Sequence, residues 1–236
     1  ERDRYPAFRI PTVCIPASID NNLPGSELSI GTDTALNVIV EAMDKIKESG
    51  IASRRCFVVE TMGRDCGYLA LMSGIAAGAE RIYTNEDGIS LDDLANDVHW
   101  LRELFAHGRR LFLAVRNENA SHNYTTDFIA RLLEEESHGM YDVRQVVLGH
   151  MQQGGSPSPF DRLLANRLGY RALNLIDDEL AAHQDGSWFI GVNESGMRPC
   201  SMDTMPSLVD AAHRRPREQW WLQLRTIARM VSDEVR

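Results

Sequence analysis

The sequence predicts an α/β fold: mostly parallel strands flanked by helices, in three layers. Three observations carry this. Strand-like and helix-like segments alternate along most of the chain. Polar clusters fall just after strand-like runs, at Ser18-Ile19-Asp20-Asn21-Asn22, Met62-Gly63-Arg64, Arg116-Asn117-Glu118 and His150-Met151-Gln152-Gln153. The composition, 43% hydrophobic and 25% charged, suits a globular chain with a sizeable core.

Each element has its own signal. Arg9 to Ile15 reads as a short buried strand through Ile10, Val13 and Ile15, ending at Pro16. From Thr32 to Ser49, Ala35, Leu36, Ile39, Val40, Met43 and Ile46 form a helical stripe, which Gly50 stops. Arg55 to Glu60 is a β-rich run. Tyr68 to Ala77 is apolar and small enough for a buried helix. Leu91 to Phe105 is an amphipathic helix, and Leu111 to Val115 an apolar strand. Thr126 to Ser137 is a helix with Thr125 as its N-cap. Val143 to Leu148 is a strand, Pro159 to Leu180 a long helix, and Trp188 to Val192 a final strand. Trp220 and Trp221 open a helix-like run with Leu222, Leu224 and Ile227, read as a helix capping the core.

Charge and cysteines exclude several classes. Twenty-five basic against 34 acidic side chains leave a net charge of −9. Nucleic acid is therefore not the expected partner, because a phosphate backbone demands a basic face. No apolar run is long enough to span a membrane. Cys14, Cys56, Cys66 and Cys200 form no C-x-x-C pair and read as free thiols of a reducing cytosol, which makes the expected location cytoplasmic. The start, Glu1-Arg2-Asp3-Arg4, lacks Met and a signal segment and reads as a fragment or processed piece.

In open α/β sheets ligands bind at the carboxyl ends of strands, where the polar clusters lie. Asp20, in a loop between Pro16 and Pro24, is either a turn residue or a general base for a hydroxyl. Gly63 allows close backbone approach, and Arg64 offers a planar fork for phosphate. Arg55 and Arg144 sit near the starts of their strands, as solvated cations or anion ligands. Glu118 could accept hydrogen bonds from sugar hydroxyls. His150 precedes Gly154-Gly155-Ser156-Pro157, whose glycines could turn backbone N–H groups toward an anion. His213-Arg214-Arg215-Pro216-Arg217 is a basic knot in an acidic chain, with Arg214 a candidate anion contact.

Four motifs then converge on one family. Arg144, Gly149-His150-Met151-Gln152-Gln153-Gly154-Gly155 and Asp161-Arg162 together resemble the phosphofructokinase signature. Pro16-Ala17-Ser18-Ile19-Asp20-Asn21-Asn22 resembles that family's catalytic loop, and Val59-Glu60-Thr61-Met62-Gly63-Arg64 its sugar-binding segment. Thr32-Asp33-Thr34-Ala35-Leu36-Asn37 is similar to the helix between them. The resemblance covers the later two thirds of one unit, so the fold is expected to be incomplete at its amino-terminal side. It implies two lobes: 1–31 with 149–205 on the nucleotide side, and 32–148 with 206–236 on the sugar-phosphate side.

The resemblance also assigns roles. Asp20 would be the base for the sugar 1-hydroxyl. Ser18, Asn22, Met62, Gly63, Arg64, Glu118, His150 and Gln153 would line the site for fructose 6-phosphate or fructose 2,6-bisphosphate. Arg55 and Arg144 would reach the site of a neighbouring subunit or half, and Arg214 would join the pocket from the tail. A homo-oligomer or a partner half is therefore expected. The family's Gly-Gly-Asp-Gly-Ser loop for ATP and Mg2+ does not occur in this sequence. The nucleotide and metal would belong to the complete enzyme, with no metal ligands here and none bound tightly by this piece, which alone should be inactive. Gln153, the Asn21-Asn22 pair, the Arg116-Asn117-Glu118 run and Arg217-Glu218-Gln219-Trp220-Trp221-Leu222 resemble the carboxyl-terminal half of long, eukaryotic-type enzymes. Those halves carry a regulatory bisphosphate site and usually lack the Asp that this chain keeps as Asp20. Ala17 stands where diphosphate-dependent relatives carry Lys, which favours ATP as donor. The expectation is a portion of a glycolytic 6-phosphofructokinase. Its rivals are a purely regulatory half and a structural half that holds an oligomer.

Overall fold

The computed structural model describes residues 4–50, 52–193 and 195–233; the charged start at residues 1–3 lies outside them. In chain order the elements are β1 (Thr12–Cys14), α1 (Thr32–Gly50), β2 (Arg55–Thr61), α2 (Tyr68–Ala77), β3 (Arg81–Tyr83), α3 (Leu91–Ala106), β4 (Leu111–Asn117), α4 (Thr126–Glu136) and β5 (Asp142–Val147). There follow α5 (Pro159–Ala181), β6 (Ser187–Asn193), β7 (Gly196–Ser201), α6 (Met205–Leu208), β8 (Val209–Asp210), β9 (Arg215–Pro216) and α7 (Arg225–Asp233).

They form two compact units, Glu1–Thr34 with Pro157–Trp220, and Ala35–Ser156 with Trp221–Arg236. The larger unit holds a four-stranded parallel sheet in the order β3-β4-β2-β5. Its strands are apolar on both faces because both are covered. Cys56, Val58, Phe112 and Ala114 face Leu94, Leu101 and Phe105 of α3 and Ile129 and Leu133 of α4. The alternate residues Phe57, Val59, Leu113 and Val115 are buried on the opposite face, where α2 packs on β4 and β2. This is the predicted layered α/β arrangement.

Local signals explain most boundaries. Thr125 caps α4 by accepting the Phe128 N–H at 3.2 Å. Ser90 and Asp93 form a reciprocal capping box on α3. The predicted strand from Arg9 shrinks to Thr12–Cys14, because Pro6–Arg9 is a 3-10 turn and Pro11 has no N–H to donate. The short strand β3 and the antiparallel strand β7 had no clear sequence signal.

In the smaller unit β6 lies between β1 (parallel) and β7 (antiparallel). Leu164 and Leu168 of α5 pack on Ile190, with Val13 and Val192 beside them. Asp161 ties α5 to the start of α1: its carboxylate accepts the N–H groups of Gly31 (2.9 Å) and Thr34 (2.8 Å). An aspartate at a helix N-terminus also suits the macrodipole.

Candidate functional site

All four strands of the larger unit run parallel, so their carboxyl ends share one edge. Met62-Gly63-Arg64 follows β2, Glu118 follows β4, and a 3-10 turn at Gly149–Gln153 carries His150 just after β5. Three of the predicted polar clusters therefore meet.

Buried polar side chains fix the backbone beneath them. Asn117, fully buried, donates through Nδ2 to the carbonyl oxygens of Met62 (3.3 Å), Gly63 (2.9 Å) and Cys66 (3.3 Å). Gly63 has φ +130, and a Cβ there would lie 2.4 Å from the Cys66 oxygen and 2.7 Å from Asn117 Nδ2. Only glycine fits that turn. Gln152, also buried, accepts the Met62 N–H at 3.1 Å and donates to the Gly149 oxygen at 2.9 Å. Gln152 thus joins the Arg64 turn to the His150 turn.

Arg116 does the same for the loop bearing Glu118. It is buried and donates to Glu60 Oε2 (2.7 Å) and to the carbonyl oxygens of Glu118 (3.1 Å), Ser121 (2.6 Å) and Tyr124 (3.2 Å). Burial pushes its pKa down, and the Glu60 carboxylate opposes that. The Glu118 N–H continues the ladder by donating to Thr61 O at 2.9 Å.

On this framework Arg64 and His150 are exposed and, among the described residues, take no hydrogen-bonding or ion-pair partner. Glu118 is half-buried and Gln153 exposed. The glycine turn does not offer both its amides: Gly154 N–H is already donated to Met151 O at 3.2 Å. Gly155, at φ +94, shapes the turn instead; a Cβ there would come within 2.9 Å of Val38.

Arg55 and Arg144 do not join this cluster within the chain. They lie near the amino ends of β2 and β5, with Arg144 opposite Phe57 in register. The seven residues of β2 separate Arg55 from the Met62 turn by roughly 20 Å. Arg55 donates to Ser49 O (3.2 Å), and Arg144 donates to Val143 O (2.7 Å) and lies 3.6 Å from Asp142.

The other candidates belong to the smaller unit. Its loop from Pro16 to Ile30 is stitched along β6. Glu27 N–H donates to Val192 O (2.7 Å), Ser26 Oγ accepts the Val192 N–H (2.9 Å), and Ser18 N–H donates to Ile30 O (3.1 Å). Gly191 permits the approach, since a Cβ there would sit 1.8 Å from Gly25 O. Ser18 Oγ accepts the Asp20 N–H at 3.2 Å and donates to Asn22 Oδ1 at 3.1 Å. Asp20 is half-buried. Asn22 lines a cleft of about 320 Å3 with Leu23, Pro24, Val209, Arg214 and Arg215. Arg214 is exposed, at φ +53 in the turn between β8 and β9.

Sequence reasoning missed Asn117, Gln152 and Arg116 as the groups that organise the site. All three lay within the quoted motifs, but nothing in a sequence tells a buried amide from its exposed neighbour Gln153. Among the described residues no group of three or more His, Cys, Asp or Glu side chains is placed to hold a metal ion. No helix among them is long and apolar enough to cross a membrane.

Known proteins resemble the chain in sequence and in fold. The family model described as phosphofructokinase matches residues 2–176. The chain is 42% identical over 241 residues to the ATP-dependent 6-phosphofructokinase, platelet type, of Rattus norvegicus, covering 98% of this chain and 31% of that protein. It is 43% identical over 242 residues to the muscle-type enzyme of Homo sapiens, with the same coverage. The solved phosphofructokinase from Saccharomyces cerevisiae superposes with a TM-score of 0.93 at 36% identity, over 99% of this chain and 32% of that one. The chain thus spans about a third of the length of these relatives.

Proposed function

The chain belongs to the phosphofructokinase family, and from that premise we propose that it is the sugar-phosphate-binding portion of an ATP-dependent 6-phosphofructokinase, most like the carboxyl-terminal half of the long form. The observation that carries this reading is the pair Arg64 and His150. Both are exposed and, among the described residues, without a partner, on strand ends whose backbone is locked by Asn117 and Gln152.

The chemistry follows from the side chains. Arg64 offers a fork to the 6-phosphate of fructose 6-phosphate, and His150 donates a further hydrogen bond to it. Glu118 and Met62 hold the sugar ring, with Gly63 and Gln153 beside them, and the family resemblance assigns Ser18 and Asn22 to the ligand as well. Asp20 accepts the proton of the 1-hydroxyl as that oxygen attacks the terminal phosphorus of ATP, and the bond from that phosphorus to the departing ADP oxygen breaks. ATP and Mg2+ are held by polypeptide beyond these residues. Arg55 and Arg144, far from Arg64 along their own strands, serve the site of a neighbouring copy or half. The protein is then an oligomeric enzyme of glycolysis that works in the cytoplasm.

A second reading has its own support. Arg214, exposed in the cleft with Asn22, supplies a further cation of the kind that a bisphosphate needs. The site would then be regulatory and take fructose 2,6-bisphosphate. Asp20→Asn in the intact protein separates the two. For a catalytic site, turnover falls by about two to four orders of magnitude with sugar affinity little changed. Unchanged turnover with altered activation assigns the site to regulation.

A further inference from the structure

One backbone oxygen joins two segments that the site needs. The Glu27 carbonyl accepts Asn21 Nδ2–H at 2.7 Å and Trp220 Nε1–H at 2.9 Å. The carbonyl is itself anchored, because the Glu27 N–H is donated to β6 at Val192 O. Asn21 follows Asp20 directly. It is 4% exposed, has φ +53, and its Oδ1 is buried with no hydrogen-bond partner among the described residues, so the Glu27 carbonyl is the side chain's anchor.

Trp220 closes the other segment. Arg217, three residues before it, donates its N–H to Leu208 O and its Nε–H to Val209 O, both at 3.0 Å. Those bonds seat the β8–β9 hairpin whose turn carries Arg214. A carbonyl oxygen has two lone pairs, and both are used here. Each donor is seated only while Glu27 is held in place, and Glu27 is held partly by the other donor.

We propose that the Glu27 carbonyl couples the Asp20 loop to the Arg214 hairpin, with Asn21 and Trp220 as positioning residues. Its importance for function rests on the reading of Asp20 and Arg214 as ligand-contacting groups; the coupling itself does not. Neither side chain touches the ligand in this account. They keep two distant segments in one arrangement, so that a change at one is felt at the other.

Hydrogen exchange of the intact protein without ligand tests it. Trp220→Phe keeps the ring and deletes the donor; Asn21→Gly deletes the amide and tolerates φ +53. Trp220→Phe should speed exchange across residues 18–24 about three- to tenfold, the loss expected for one hydrogen bond. Asn21→Gly should do the same across residues 209–217. Acceleration confined to the mutated segment in both variants overturns the coupling. If Asn21→Gly fails to fold, Trp220→Phe alone decides, by the 18–24 response. Titration of the unmutated protein with fructose 6-phosphate reports separately on the functional reading. Reciprocal exchange without sugar binding would sink that reading and keep the coupling.

Discussion

The Gln152 side-chain oxygen accepts the Met62 backbone N–H at 3.1 Å, although 90 residues separate them. The bond crosses from the turn after β5 to the turn after β2, and so registers His150 against Arg64. Gln152→Ala leaves the partly buried Met62 N–H without its acceptor and should cost about 1 kcal/mol of stability. Fructose 6-phosphate affinity should fall about tenfold, because both ligand groups lose their support. Denaturant unfolding and calorimetric titration check the two effects. Gln152→Glu keeps the acceptor but loses the donor to Gly149, and should fall between.

Gly63→Ala should be more damaging. The added Cβ meets a backbone oxygen, which cannot swing aside, and φ +130 is a region alanine rarely adopts. A loss of about 3 kcal/mol is expected, with sugar binding abolished. A melting curve within a degree or two of the parent would sink this account of the turn.

How much of this was legible depended on burial. The β2 and β4 runs were plain, since a strand covered on both faces is continuously apolar, as in Cys56-Phe57-Val58-Val59 and Leu111 to Val115. β3 was not, because Arg81-Ile82-Tyr83 is too short to show a period. β7 was hidden by Pro199, which an edge strand tolerates and a central one does not. At the site, the exposed Arg64 and His150 and the half-buried Glu118 could be named from motif position. Asn117, Gln152 and Arg116 could not, because their work is to satisfy backbone groups that exist only once strands far apart in sequence are adjacent.

Asp93 gives a prediction in pH. Hydrogen bonds from Ser90, chiefly its hydroxyl, hold the Asp93 carboxyl below its ordinary value near 3.8. A depressed folded pKa stabilises fully above the unfolded value and is lost as pH falls through the folded one. Stability should therefore drop in acid below about pH 4 by more in the parent than in Asp93→Asn, whose melting temperature should be flatter there. Parallel curves for the two proteins would contradict the capping-box account.

The outer side of α5 suggests another test. Phe160, Leu163, Tyr170, Leu173 and Leu180 are all exposed along this helix. On the partner-half reading, this stripe is the surface that meets more polypeptide. The 236-residue chain by itself should self-associate, and Leu163→Ser with Leu173→Ser should reduce this without lowering its melting temperature. Light scattering that shows equal association in both forms would remove the stripe from the partner-half reading.

The central claim is that Arg64 holds the sugar phosphate. Calorimetric titration of fructose 6-phosphate into the intact protein and its Arg64→Ala variant tests it most directly. Arg64 is exposed and, among the described residues, without a partner, so the variant should melt where the parent does. Loss of a charge-assisted contact should weaken sugar binding about ten- to a hundredfold. Equal affinity in the two proteins would contradict the account.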